Sequence, residues 1–325
     1  MLSKSQLFNI YSENLNLVSR SLFNDKSCKG QYLCPICLKI FLLEHLQSNH
    51  KLYLTEEHVP PKSVTWKRKV LTCNSCNTKQ GGMFDSHLPI AFKAKAFLRK
   101  EPRVELDTNF TINNEIKSAG TTAITEEGGY KIQFDPKRTS PKGNELIKEL
   151  LKEGNRTPNI NVKFKAGNPK NAIVSIIRSA YLWAFSELGY AFVFNPNLNS
   201  YRQLILNQSD PEDHLKKVIK AKFPDNAKGV NIITKPENYG CYLVLIEPKV
   251  SGYSEKLGVL LPGNMSSGFE LINHVIKGVG NKCSTWECQD LNNSNILNNQ
   301  ELCIFPYMYW KKKYKLKSSS QPDNK

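Results

Sequence analysis

Apolar positions in the first two dozen residues recur at helical spacing. Leu2, Leu7, Ile10, Tyr11, Leu15, Val18 and Leu22 are separated by polar residues, which predicts an amphipathic helix rather than the unbroken apolar run of a signal peptide. Between residues 103 and 136 the period shortens to two. VELD, FTINNEI, TTAIT and GYKIQF are divided by Asn-Asn, Gly and Glu-Glu-Gly-Gly, a pattern that predicts antiparallel strands. After the loop DPKRTSPKGN a helix is expected near Glu145 to Lys152. The clearest helix follows Asn168-Pro169, a cap with proline in the first turn. Ile173, Ile176, Ile177, Ala180, Tyr181, Ala184, Phe185 and Leu188 give it a broad apolar face, and Gly189 is its expected stop. YAFVF, residues 190–194, then reads as a strand, and SYRQLI as the start of another helix. GVNIIT, CYLVLIEPKV and KLGVLLPG are β-rich and predict a sheet.

The mixture is α+β, and 325 residues exceed what one compact core usually organises. The pattern changes near residue 102, where a basic helix gives way to strands. This predicts a unit at 1–102, a larger α+β unit at 103–310 whose role is target recognition or regulation, and a basic, disordered tail at 311–325. No stretch approaches the ~20 apolar residues of a membrane helix, so the sequence reads as that of a soluble, cytoplasmic protein with no membrane partner.

The formal net charge of +16 favours polyanionic partners, although solvated lysines need none. Its distribution is uneven: from Lys51 to Arg103 there are eleven Lys or Arg against four acidic residues. Nine cysteines without a secretory signal read as thiols or metal ligands. Cys34-Pro-Ile-Cys37 and Cys73-Asn-Ser-Cys76 are two CxxC knuckles, and together they complete the four-sulfur shell that structural Zn²⁺ prefers. His45 and His50 follow the first knuckle too closely for a zinc finger and read as surface residues. Cys241, Cys283, Cys288 and Cys303 are loosely spaced and read as scattered buried thiols rather than a second metal site.

Between the knuckles lies LTEEHVPPKS, which places Glu57 directly before His58 and ends any helix at Pro60-Pro61. On an extended chain the two side chains point to opposite faces, so a local bend is required for both to face one site. The proline pair is the expected source of that bend. Asn74 is the expected cap of a helix opening at the second knuckle, and Asp85 is read as a loop or capping residue.

Knuckle, acid-His-x-Pro and then LTCNSCNTKQGG together resemble the zinc-bearing branch of the HNH endonuclease superfamily. The resemblance implies a zinc-stapled ββα-metal fold and metal-dependent hydrolysis of DNA, most readily double-stranded, in phage defence or a mobile element. It implies Glu57 and Asn77 as ligands of one Mg²⁺ or Mn²⁺ and His58 as the base that deprotonates water. Lys79 and Gly81-Gly82 fit the same pattern. Where the family usually has an Asn that orients the histidine, this chain has Arg68. Arg68 is read either as a phosphate clamp or as the mark of a site oriented by other means, or degenerate. The segment AYLWAFSELGYAFVFNPNLNSYRQLI is similar to the C-terminal half found behind many bacterial HNH domains, a likeness that assigns no chemistry.

Elementary chemistry supports these residue types. An imidazole near pKa ~6.5 accepts a proton at neutral pH, and a hard cation prefers a carboxylate and an amide oxygen. Lys62, Lys67, Arg68, Lys79, Lys93 and Lys95 are the expected nucleic-acid contacts, gripping phosphates without reading bases. The alternatives are a zinc-knuckle nucleic-acid-binding protein without hydrolysis and an RNA-directed nuclease. A homodimer or an activating partner is left open.

Overall fold

The computed structural model describes residues 2–64, 68–102, 104–152, 159–207, 218–219, 223–235, 240–264, 286–292 and 294–312. Helix α1 (Lys4–Phe23) opens at Ser3. The Ser3 hydroxyl accepts from the Gln6 amide at 3.2 Å, while Gln6 Oε1 accepts from the Ser3 amide at 2.8 Å, so two end donors are satisfied reciprocally. Leu7, Phe8, Tyr11, Leu15 and Val18 form its buried stripe, as the spacing predicts. Strands β1 (Tyr32–Leu33) and β2 (Ile40–Phe41) make a short ribbon around the first knuckle. Strand β3 (Leu54–Val59) pairs antiparallel with β4 (Arg68–Cys73), setting Glu57 opposite Val70 and His58 opposite Lys69. Helix α2 (Asn74–Gln80) follows without a break, and a π-type turn at Gly81–Asp85 leads to α3 (His87–Leu98).

The expected strands after residue 103 form one antiparallel sheet. It contains β5 (Glu105–Ile112), β6 (Ile116–Ile124), β7 (Tyr130–Phe134) and β8 (Ile160–Phe164) in the order β7-β6-β5-β8. Leu106, Thr108, Phe110 and Ile112 of β5 are buried at alternate positions, the signature of a half-covered strand. Helix α4 (Pro141–Lys152) lies between β7 and β8 in sequence. Helix α5 (Pro169–Val193) starts at the expected cap, where Asn168 Oδ1 accepts from the Lys170 and Asn171 amides. After it come α6 (Asn199–Ile205), β9 (Val218–Ile219), β10 (Gly229–Lys235) and β11 (Cys241–Ile246). The small ribbon β12 (Lys249–Val250) and β13 (Tyr253–Ser254), then β14 (Leu257–Pro262), β15 (Glu287–Asp290) and α7 (Phe305–Lys312) complete the described elements. The second sheet is antiparallel in the order β15-β10-β11-β14-β9. The fold is therefore mixed α+β.

Helix α5 is apolar almost all round, and such a helix has to be covered on every side. It packs against α1, α3, β3 and β4 and also against β10, β11 and β14. One hydrophobic cluster consequently runs from Leu7 through Phe92, Phe185 and Val244 to Phe305. The pattern change near residue 102 is thus no break in the core. Among the described residues, no helix is long and apolar enough to cross a membrane.

Gly189 corrects the expectation of a helix stop followed by a strand. Its backbone departs from helix at φ 65°, ψ −151°, and YAFV then resumes the helix to Val193. The interruption is filled by Asn14, fully buried, whose Oδ1 accepts from the Tyr190 amide at 2.8 Å and whose Nδ2 donates to Leu297 O at 2.8 Å. A Cβ on Gly189 would stand 2.2 Å from Asn14 Oδ1 and 2.8 Å from Leu297 Cδ2. Gly189→Ala is expected to cost about 2–4 kcal/mol in urea denaturation, combining backbone strain with displacement of that amide. A loss below about 0.5 kcal/mol would mean that the kink relaxes freely.

Candidate metal centre and catalytic site

The two knuckles meet. Ligand atoms of Cys34, Cys37, Cys73 and Cys76 all lie within 4.8 Å of one another, so this group can hold a metal ion. The turn after the first knuckle is closed by Leu38 N donating to Cys34 O at 2.9 Å and Cys34 N donating to Lys39 O at 3.0 Å, with Leu38 at φ 60°. Cys73 caps α2, its sulfur accepting from the Cys76 amide at 3.4 Å. This displaces Asn74 from its expected capping role. Asn74 is the first residue of the helix, and its Oδ1 accepts from Thr78 Oγ1. Cys34 Sγ accepts from the Cys73 amide at 3.4 Å, and Cys37 Sγ lies 3.6 Å from Cys73 Sγ. Burial pushes the Cys34 thiol well above its ordinary value, while a hydrogen bond from Cys34 holds Cys37 far below its own. Four crowded sulfurs cannot all ionise beside one another; a cation removes that conflict.

Helix α5 clamps the first knuckle from behind. Tyr181 donates to Pro35 O at 2.7 Å, and the Tyr190 hydroxyl donates to Leu33 O at 2.6 Å and accepts from Leu33 N at 2.9 Å. His45 and His50 stand outside the sulfur cluster, their rings 5.2 Å apart. Of the remaining cysteines, Cys241 and Cys303 are buried as expected, whereas Cys288 is exposed; Cys283 lies outside the described residues. Among the described residues the four knuckle cysteines are the group suited to a metal.

The hairpin β3–β4 carries the other motif residues. Asn77 Nδ2 donates to Thr55 Oγ1 at 2.9 Å and to Glu56 O at 3.3 Å, which fastens α2 to β3. Glu56 and His58 share one face of β3 with Lys69, whose ammonium donates to Glu56 at 2.8 Å. Glu57 faces the opposite side, toward α5. The strand runs through residues 54–59, and the proline pair follows it at the cis Val59–Pro60 peptide, so the expected bend between Glu57 and His58 is not present within β3. His58 is partly exposed. Burial first, then the ammonium of Lys69, lowers its pKa below the ordinary value.

Glu57 is 5% exposed and ion-paired to Arg178 of α5, which is 1% exposed. Arg178 Nη2 donates to Glu57 Oε2 at 2.6 Å; Nη1 lies 3.5 Å from Glu57 Oε1 and donates to Asp85 Oδ2 at 2.6 Å. Ser175 donates to the other Asp85 oxygen at 2.5 Å. Burial raises both carboxyls above their ordinary values, with Arg178 pulling against it. Asp85 is therefore part of a buried ionic cluster, not the loop or cap expected for it.

Arg68 is likewise engaged, ion-paired with Glu187 of α5, so the expected phosphate clamp is partnered within the fold. It sits with Lys69, Tyr11, Glu187, Ser294 and Leu297 around a cavity of about 300 Å³. Lys95, expected to contact nucleic acid, is half-buried and ion-paired with Glu255. Lys62 and Lys79 are exposed, Lys93 is half-buried, and Lys67 lies outside the described residues.

Sequence reasoning missed Arg178 and Glu187, yet a signal existed. They are the charged residues of the apolar run from Ala172 to Val193, and each pairs with the motif hairpin, Arg178 with Glu57 and Glu187 with Arg68. A charge inside an all-round apolar helix needs a buried partner. Comparison with family models, curated proteins and solved structures finds no match to this chain.

Proposed function

We propose that the chain is a metal-dependent DNA endonuclease of the HNH type, its ββα unit formed by β3, β4 and α2 and stapled by zinc. The observation that carries this reading is the fastening of Asn77 onto β3, the strand that carries Glu57 and His58, on a unit closed by four sulfurs. A tetrahedral zinc shell with bonds of about 2.3 Å has edges of about 3.8 Å. The 3.6 Å between Cys37 and Cys73 fits such an edge.

For the catalytic cation the fit is made by oxygens. Glu57 Oε1 has only the long contact to Arg178 at 3.5 Å, and the Asn77 amide is fastened to β3 through its nitrogen. Glu57 Oε1 and the Asn77 amide oxygen would hold Mg²⁺ or Mn²⁺, which supplies Lewis-acid stabilisation of phosphate charge when bound. His58 receives the proton of the attacking water. Lys62, Lys79 and Lys93 bind the backbone of double-stranded DNA, and Lys69 lies across the hairpin from His58.

A second reading, nucleic-acid binding without hydrolysis, is favoured by one specific observation: Glu57 and His58 face opposite sides of β3, and Glu57 is already paired with Arg178. Plasmid DNA incubated with the full chain and Mg²⁺ or Mn²⁺, with and without EDTA, separates the two. Cleavage that is abolished in His58→Ala while DNA binding persists is expected; binding without cleavage by the unmodified chain selects the second reading. RNA supplied in parallel tests the polymer. The lowered pKa of His58 keeps it neutral, and so able to act as a base, at pH 7. Activity is therefore expected to be level above neutrality and to fall only as pH drops below about 6.5. An acid limb centred above pH 7 would contradict that assignment.

A further inference from the structure

The buried cluster around Arg178 has a composition that a structural clamp does not require. Two carboxylates, Glu57 and Asp85, converge on one guanidinium, leaving a negative charge in excess, and among the described residues the buried Arg178 Nε has no hydrogen-bond partner. A buried ion pair is weak evidence of stability, since apolar residues of like volume often do as well. The geometry is also asymmetric. Arg178 grips Glu57 through Oε2 at 2.6 Å and stands 3.5 Å from Oε1, the oxygen that the proposed function offers to a cation. Asp85, anchored by Ser175, holds Nη1 and thereby fixes the plane of the guanidinium. Conjugation keeps that fork rigid, so fixing one arm fixes the other.

We propose that Arg178 and Asp85 are positioning residues of the candidate site: Arg178 holds the Glu57 carboxylate chiefly by Oε2, its contact to Oε1 being the long one, so that Oε1 is the atom offered to a divalent cation, and Asp85 acts through Arg178. The motif is then completed by helix α5, more than a hundred residues downstream in the chain. This rests on the reading of Glu57 as a cation ligand. Charge supports the arrangement, because a divalent cation and a phosphodiester together neutralise the single excess negative charge of the cluster.

The test is Mn²⁺ binding by isothermal titration to the full chain carrying its structural metal, with melting temperature and zinc content measured alongside. Arg178→Lys keeps the charge and removes the fork, so electrostatic competition with Mn²⁺ is held constant and any change reports geometry. It is expected to weaken Mn²⁺ binding about tenfold at unchanged zinc content, in the range seen when a partner of a metal ligand is altered. Glu57→Gln is expected to abolish binding. Asp85→Asn, which leaves the Arg178–Glu57 pair in place, is expected to weaken binding less, and to add nothing in the Arg178→Lys background. Should Arg178→Lys fail to fold, Ser175→Ala, which loosens Asp85 without changing any charge, carries the test, with weaker Mn²⁺ binding expected and unchanged binding overturning the positioning role. Binding lost in Glu57→Gln but unchanged or tightened in Arg178→Lys and Asp85→Asn overturns the positioning role while leaving the cation reading intact. A chain that binds no Mn²⁺, or binds it equally well as Glu57→Gln, overturns both.

Discussion

Cys34→Ser is expected to lower the zinc content from one ion per chain to nearly none after dialysis and the melting temperature by roughly 10 °C or more. Cys34 is fully buried and accepts from the Cys73 amide, so it links the two knuckles directly. A serine oxygen is shorter and harder than a sulfur, and leaves three sulfurs crowded around a poorer donor. The effect should spread beyond the knuckles. Tyr181 and Tyr190 of α5 bond to the backbone at Pro35 and Leu33, and α5 is the centre of the core. Chelation of the unmodified chain should reproduce the loss, and the chelator should then change little in Cys34→Ser. Equal melting of variant and parent would mean that the four sulfurs pack without a metal, and the zinc assignment would fail.

The knuckles were legible because metal chemistry imposes both residue type and spacing on the sequence, and their convergence is seen where the Cys73 amide donates to Cys34 Sγ. The strands from Glu105 to Phe134 were legible because period-two burial is local. Gly189 was not. Glycine ends helices so often that its use as a kink depends on Asn14, which lies 175 positions earlier and fills the gap. The pairings of Arg68 and Lys95 were hidden for the same reason: a basic residue near a motif that resembles a nuclease's reads as a phosphate contact until a carboxylate from a distant segment, Glu187 or Glu255, is brought beside it. Asp85 reads as a loop residue because its partner, Arg178, belongs to a helix whose sequence speaks only of its apolar face.

That partner gives the second large effect. Arg178→Met is expected to destabilise the chain by about 3–5 kcal/mol at neutral pH without added divalent cation, because it strands two buried carboxylates with no counter-charge. The sign of the pH dependence follows from burial. Glu57 and Asp85 already lie above their ordinary values with Arg178 present, and without it nothing opposes the rise. A carboxyl whose pKa is higher folded than unfolded stabilises the fold below the unfolded value, and that contribution is lost as pH rises through the folded one. The deficit of Arg178→Met should thus be smallest near pH 4 and grow toward neutrality. Urea denaturation at acid and neutral pH measures it. Adding Glu57→Gln and Asp85→Asn removes the stranded charges and should recover much of the loss, since a neutral cluster of like shape no longer holds a desolvated anion. A deficit that is flat with pH and not relieved by the neutral pair would show that Arg178 acts through packing alone. α5 would then be joined to the motif by shape rather than by charge, and the coupling of Glu57 to the rest of the chain would lose its physical basis.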